Sequence, residues 1–136
     1  MEKEHILVVD DEEGLLHLVK MRLTAMGFDV TGCTTGREAI AAAKKDRFDL
    51  VVADLRLGSE DGLDVTEELL RIHPGLPVII LTAHGSIPNA VEAMQRGAFG
   101  YLTKPFDDKE LKAKIEEGLS PQRMRGEIQR LKSLVN

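Results

Sequence analysis

The chain has 136 residues, 18 basic and 23 acidic side chains for a net charge of −5, and 43% hydrophobic residues, the profile of one globular domain able to bury about two thirds of its unfolded surface. The single cysteine, Cys33, excludes an internal disulfide framework and suits a reducing, cytoplasmic setting. No apolar run nears the ~20 residues of a membrane span, the start Met1-Glu2-Lys3-Glu4 lacks the basic opening of a signal peptide, and the acidic balance argues against nucleic-acid binding through a basic face.

In chain order, Ile6-Leu7-Val8-Val9 is the first of three four-residue apolar runs, with Leu50-Val51-Val52-Ala53 and Val78-Ile79-Ile80-Leu81. Short continuous runs of this kind fit strands buried on both faces, as in a parallel sheet. Weaker strands fit at 28–33 and 99–103, and should lie at the edges. Leu15, Leu18, Val19, Leu23 and Met26 recur at helical spacing, with Gly27 as the stop. Thr35-Gly36-Arg37-Glu38 reads as a capping box ahead of Ala39, Ile40 and Ala43. Val65, Leu69 and Ile72 give a third helix. Ile87, Val91 and Met94 give a fourth, with Ser86 as N-cap and Pro88 in its first turn. Asp107 and Glu110 open a fifth, carrying Leu111 and Ile115. Five βα units in succession predict an α/β fold: a parallel sheet with right-handed crossovers and helices on both faces.

Leu119-Ser120-Pro121 interrupts the pattern, and Pro121 suits the first position of a new helix. Met124, Ile128, Leu131 and Val135 then follow in heptad steps over residues 121–135. The expected division is therefore a globular domain over 1–119 and a helical linker over 120–136, leading to a dimer partner or a further domain. Charge divides along similar lines. Residues 1–111 carry 12 basic and 20 acidic side chains, a net of −8, whereas residues 112–136 carry six and three, a net of +3.

Open α/β sheets bind ligands beyond the carboxyl ends of their strands. Here the first strand ends in Asp10-Asp11, the third in Asp54, the fourth in Thr82 and the fifth in Lys104-Pro105. Three carboxylates at one edge repel unless a cation joins them. Mg2+ suits such a set, being held by one or two carboxylates with open positions for water or phosphoryl oxygens. Metal, lysine and a neutral hydroxyl beside a nucleophilic carboxylate make a phosphoryl-transfer site. Asp54, at the end of a central strand, is the candidate nucleophile, and Asp10 and Asp11 the candidate metal ligands. His5, His17 and His73 lack metal-ligand spacing and read as packing or surface residues. Cys33 reads as a small buried filler.

Val8-Val9-Asp10-Asp11-Glu12, Asp54 with Asp61-Gly62, Thr82-Ala83 and Tyr101-Leu102-Thr103-Lys104-Pro105 resemble the receiver domain of two-component response regulators, over residues 4–118. Leu81-Thr82-Ala83-His84-Gly85-Ser86-Ile87-Pro88 with Asp54-Leu55-Arg56 is similar to receivers of the NtrC class, which activate sigma-54 promoters, and among them to the GlrR (QseF) type. The resemblance implies a doubly wound, flavodoxin-like three-layer sandwich with sheet order 2-1-3-4-5. It implies that Asp54 accepts a phosphoryl group from a phosphohistidine on a sensor histidine kinase. Asp11, Asp54 and the Arg56 backbone carbonyl would ligate Mg2+, with Asp10 reaching it through water. Lys104 and Thr82 would bind the phosphoryl group, and Tyr101 would swing inward as Thr82 moves. Arg56 and His84 would tune hydrolysis, and the Lys104–Pro105 peptide would be cis. The protein would be a switch rather than an enzyme, working through the 87–118 face and a homodimer, with no nucleic acid or membrane bound by this segment.

One position departs from the receiver pattern. Four residues after the acceptor, where proline is usual, stands Gly58, followed by Ser59-Glu60. Receivers of the GlrR type share that departure, and glycine there is expected to loosen the loop over the acceptor. Two other functions fit part of the pattern: a stand-alone phosphorelay carrier, and an aspartyl-phosphate hydrolase. The hydrolase would want a second acid two residues after Asp54, where Arg56 stands. A flavodoxin-like small-molecule binder lacks an aromatic-rich or phosphate-cradling loop.

Overall fold

The computed structural model describes residues 3–83 and 87–135. Five parallel strands form the central sheet: β1 (His5–Val9), β2 (Asp29–Cys33), β3 (Leu50–Asp54), β6 (Val78–Ala83) and β7 (Gly100–Lys104). Their order is β2-β1-β3-β6-β7. Counting sheet strands alone, this is the expected 2-1-3-4-5, with the three strongly apolar runs inside and the two weak strands at the edges. Two further strands of two residues each, β4 (Arg56–Leu57) and β5 (Glu60–Asp61), pair antiparallel in the loop after β3. The simple βα alternation did not foretell this hairpin.

Alternation along the central strands divides the core in two. Leu7, Val9, Val51, Ala53, Val78 and Ile80 face one layer, packed against α2 (Gly36–Lys45), α3 (Gly62–Ile72) and Ala93 of α4 (Ile87–Gln95). Ile6, Val8, Leu50, Val52, Ile79 and Leu81 face the other, packed against Leu16, Val19 and Leu23 of α1 (Glu13–Ala25) and Leu111, Ile115 and Leu119 of α5 (Asp108–Val135). Because both faces are covered, the runs are apolar without a break.

Local signals act where the sequence places them. After α1, Gly27 takes φ +99°, and the Phe28 amide bonds back to the Leu23 carbonyl, a Schellman ending. Thr35 caps α2, its hydroxyl oxygen accepting from the Glu38 amide at 3.1 Å. Thr35→Ala is expected to cost about 1 kcal/mol, read as a lower midpoint in urea unfolding. Ser86, the expected cap of α4, lies outside the described residues. Cys33 is buried, and burial pushes its thiol up. The His5 ring packs at a tilt against Phe48 and meets the Thr31 hydroxyl.

The expected break at Leu119-Ser120-Pro121 is absent. One helix, α5, runs from Asp108 to Val135 with Pro121 inside it, so the expected segments 1–119 and 120–136 share a helix. A proline inside a helix removes one ladder bond at a cost of ~3 kcal/mol. Tertiary contacts beside it hold the helix in place. Leu119 is fully buried, Gln122 Nε2 donates to the Asp49 carbonyl at 2.7 Å, and Arg123 pairs with Glu4 at 2.6 Å and also with Glu116. Beyond Arg123 the apolar seam Met124, Ile128, Leu131 and Val135 is exposed. Among the described residues no helix is long and apolar enough to cross a membrane.

Candidate functional site

The strand ends converge as expected. Asp10 follows β1, and its main-chain N–H donates to the Cys33 carbonyl, which fixes it at the sheet edge. Its Oδ1 accepts from the Glu12 amide at 2.9 Å. Asp54 closes β3, and its Oδ1 accepts from the Arg56 amide at 3.2 Å. Asp10, Asp11 and Asp54 offer carboxylate oxygens that all lie within 4.8 Å of one another.

Lys104, at the end of β7, donates from Nζ to Asp54 Oδ2 at 2.6 Å and lies 3.9 Å from Asp10 Oδ2. Three carboxyl groups thus share the pocket with a single lysine. Asp10 is only 1% exposed, and burial, reinforced by the Asp54 charge, holds its carboxyl above the usual carboxylate range; the Glu12 amide and Lys104 pull the other way. Among the described residues two buried side-chain oxygens have no hydrogen-bond partner: Asp10 Oδ2 and Thr82 Oγ1. They stand on the strands either side of β3. Unpartnered buried polar atoms are costly, and native structures usually satisfy them with an ordered water, an ion or a ligand. A hard, oxygen-seeking divalent cation fits the carboxylate set, and an anion with acceptor oxygens fits the Thr82 hydroxyl.

The remaining predicted residues divide. Tyr101 is on β7 and 42% exposed, so its ring is turned out, away from the core. Arg56 is exposed on β4. His84 lies outside the described residues. The Lys104–Pro105 peptide is cis.

The loop after Asp54, which Gly58 was expected to loosen, closes as a short paired hairpin. Leu57 pairs with Glu60 across a two-residue turn, in which Gly58 has φ +64° and Ser59 does not have positive φ. Glycine first in the turn is the type II′ pattern that matches hairpin twist. Proline, fixed near φ −65°, could not take that place. The tip lies against the pocket: a Cβ on Gly58 would sit 3.8 Å from Asp11 Oδ2. The base is closed by the Gly62 amide on the Leu55 carbonyl at 2.7 Å. Asp61 Oδ1 caps α3 by accepting from Leu63 N.

Sequence reading missed Glu60. Its carboxylate accepts from the Gly36 amide at 2.8 Å and the Arg37 amide at 3.0 Å, at the start of α2. The partners are 24 and 23 residues away, and no local pattern announces such a contact. Arg96, which joins α4 to Asp64 and Glu67 of α3, was missed for the same reason.

Comparison with known proteins agrees with this fold. The sequence matches the response regulator receiver domain family over residues 6–116. It is 46% identical over 115 residues to the transcriptional regulatory protein GlrR of Escherichia coli (strain K12), covering 85% of this chain and 26% of that protein. It is 38% identical over 120 residues to the DNA-binding transcriptional regulator NtrC of Salmonella typhimurium (strain LT2), covering 88% of this chain and 26% of that protein. A crystal structure of NtrX from Brucella abortus superposes with a TM-score of 0.87 at 33% identity, over 96% of this chain and 30% of that one. The chain thus spans about a quarter of the length of the curated relatives it matches. With a family match across nearly all of the globular part and the acidic strand-end pocket in place, the chain belongs to the response regulator receiver domain family, among relatives of the NtrC class.

Proposed function

We propose that this receiver is a phosphorylation switch in which Asp54 accepts a phosphoryl group from a phosphohistidine of a sensor histidine kinase. The observation that carries this reading is the pair of orphaned buried oxygens, Asp10 Oδ2 and Thr82 Oγ1, at the ends of the strands that flank the strand of Asp54, whose carboxylate pairs with Lys104. Each lacks a partner that a cation and a phosphoryl group would provide.

Asp11, Asp54 and the Arg56 carbonyl would hold Mg2+, with Asp10 reaching it through water. Bound there, Mg2+ supplies positive charge to offset the phosphoryl oxygens. In the transfer, an Asp54 carboxylate oxygen attacks phosphorus in line. The new O–P bond forms as the P–N bond breaks, and the electron pair leaves with the imidazole nitrogen, which takes up a proton. Lys104 follows the charge from the Asp54 carboxylate to the phosphoryl oxygens. Thr82, whose hydroxyl has no competing bond to give up, turns toward them as donor. Arg56 and His84 would steer the water that later hydrolyses the acyl phosphate.

The product carries about −1.5 to −2 charge where the carboxylate carried −1. Movement of Thr82 vacates space beside β6 into which the exposed Tyr101 ring can turn, and the change spreads over the 87–118 face. That face already presents Val91, Met94, Phe99 and Tyr101 to solvent. With the exposed seam of α5, it would form a homodimer whose geometry controls a transcription-activating output domain of the sigma-54-dependent kind. The segment would act as a switch, not a turnover enzyme, and would not itself bind nucleic acid.

Acetyl phosphate with Mg2+ tests the reading. The native chain should take up about one phosphoryl group labile to alkali and hydroxylamine, as an acyl phosphate is, and Asp54→Ala none. Equal labelling of both, or many turnovers of a phosphomonoester by the native chain, would overturn it.

A further inference from the structure

The hairpin over 56–61 lies between the acidic pocket and α2. Its base is tied to β3 through Arg56 N on Asp54 Oδ1 and Gly62 N on Leu55 O. Its tip approaches Asp11. Among the described residues, the hydrogen bonds that join 56–61 to anything outside 54–63 are the two made by Glu60, to the Gly36 and Arg37 amides. These amides open α2, where backbone N–H groups lack helical partners and the helix dipole favours an anion. A carboxylate taking both is held by charge-assisted bonds. Gly36 has no side chain to bar the approach: a Cβ there would meet Glu60 Oε2 at 3.0 Å and Val65 Cγ2 at 2.4 Å.

We propose that Glu60 is a positioning residue for the metal pocket: its grip on α2 holds the hairpin over Asp11 and fixes the Arg56 backbone for Mg2+. This rests on the reading of Asp10, Asp11, Asp54 and the Arg56 carbonyl as the Mg2+ set. The contact has a second effect. It spends the Glu60 charge on the helix terminus, whereas a free Glu60 on this short hairpin would add a fourth negative charge beside three that already repel. Residues that orient metal ligands typically cost ~10–100-fold in affinity when removed. Glu60 acts one step further out, through the backbone, so its removal is expected to raise the Mg2+ dissociation constant about three- to tenfold.

The test is calorimetric titration of MgCl2 into the native chain, Glu60→Ala, Glu60→Gln and Thr35→Ala, paired with hydrogen exchange at the Gly36 and Arg37 amides. Thr35→Ala removes a different cap of the same helix, so it should lower the melting temperature and leave Mg2+ affinity unchanged. Glu60→Ala should lower affinity. In the native chain, Mg2+ should slow exchange at the Gly36 and Arg37 amides, and this effect should vanish in Glu60→Ala. Should Glu60→Ala fail to fold, Glu60→Gln carries the same criterion, since it keeps the shape but loses the charge and one of the two acceptor oxygens. Native affinity in a folded Glu60 variant overturns the proposal and leaves the proposed function standing. No Mg2+ binding by the native chain overturns both.

Discussion

Asp10→Asn is expected to make the metal-free domain more stable while removing most of its Mg2+ affinity. Asp10 is buried, keeps one oxygen satisfied by the Glu12 amide, and leaves the other without a partner. An asparagine of the same shape keeps the Glu12 bond through Oδ1 and removes the buried charge, giving up the 3.9 Å approach of Lys104 to Oδ2. Relieving a buried unsatisfied group is worth about 1 to 3 kcal/mol. The pH dependence follows from the direction of the Asp10 shift, upward through burial first and the Asp54 charge as well. A carboxyl raised in the folded state binds its proton more tightly there than in the unfolded chain. Its stability cost is therefore absent below the unfolded carboxylate value, grows as pH rises toward the folded value, and is full above it. Urea midpoints in EDTA at pH 4 and pH 7.5 should show the variant's advantage at the higher pH and little at the lower. Adding Mg2+ should stabilise the native chain and leave Asp10→Asn nearly unmoved. A variant less stable than native at pH 7.5 in EDTA would show that Asp10 is not under electrostatic stress.

Gly62→Ala is expected to cost more than any surface change, roughly 2 to 4 kcal/mol. A Cβ at Gly62 would fall 2.2 Å from the Asp54 carbonyl oxygen and 2.7 Å from that of Leu55. Both obstacles are backbone of the central strand's end, which cannot swing aside as a side chain could. Relief must come from moving α3 away or displacing the Asp54 peptide, and the second moves the acceptor carboxylate itself. Thermal unfolding should show a large drop, and acetyl phosphate labelling of the folded fraction should slow. Gly126 is the matched control, because a Cβ there meets nothing within 4 Å. Gly126→Ala should be neutral or slightly stabilising.

Much of this architecture was legible because the informative signals were local. Val78-Ile79-Ile80-Leu81 fitted a strand covered on both sides, and Thr35 with Glu38 marked the start of α2. Asp10, Asp54, Thr82 and Lys104 were found together because strand ends of a parallel sheet share one edge. Reading failed where the deciding contact is remote. Pro121 should stop a helix, but Leu119 in the core and Gln122 and Arg123 on Asp49 and Glu4 hold α5 through it. The hairpin at Gly58 went unseen because it depends on a pairing between Leu57 and Glu60 that composition does not announce. Glu60 itself looked like any exposed acid.

The unbroken α5 has a mechanical consequence. Its first turns are seated in the core by Leu111, Ile115 and Leu119, and the Arg123–Glu4 pair lies just past the last of these. The twelve residues from Met124 to Val135 project beyond that point, about 18 Å at the helical rise. With Arg123 as fulcrum, a tilt of about 5° displaces the far end by about 1.5 Å on that length. The helix would thus serve as a lever, and a repacking too small to notice beside the sheet would become a step of about a bond length at its far end.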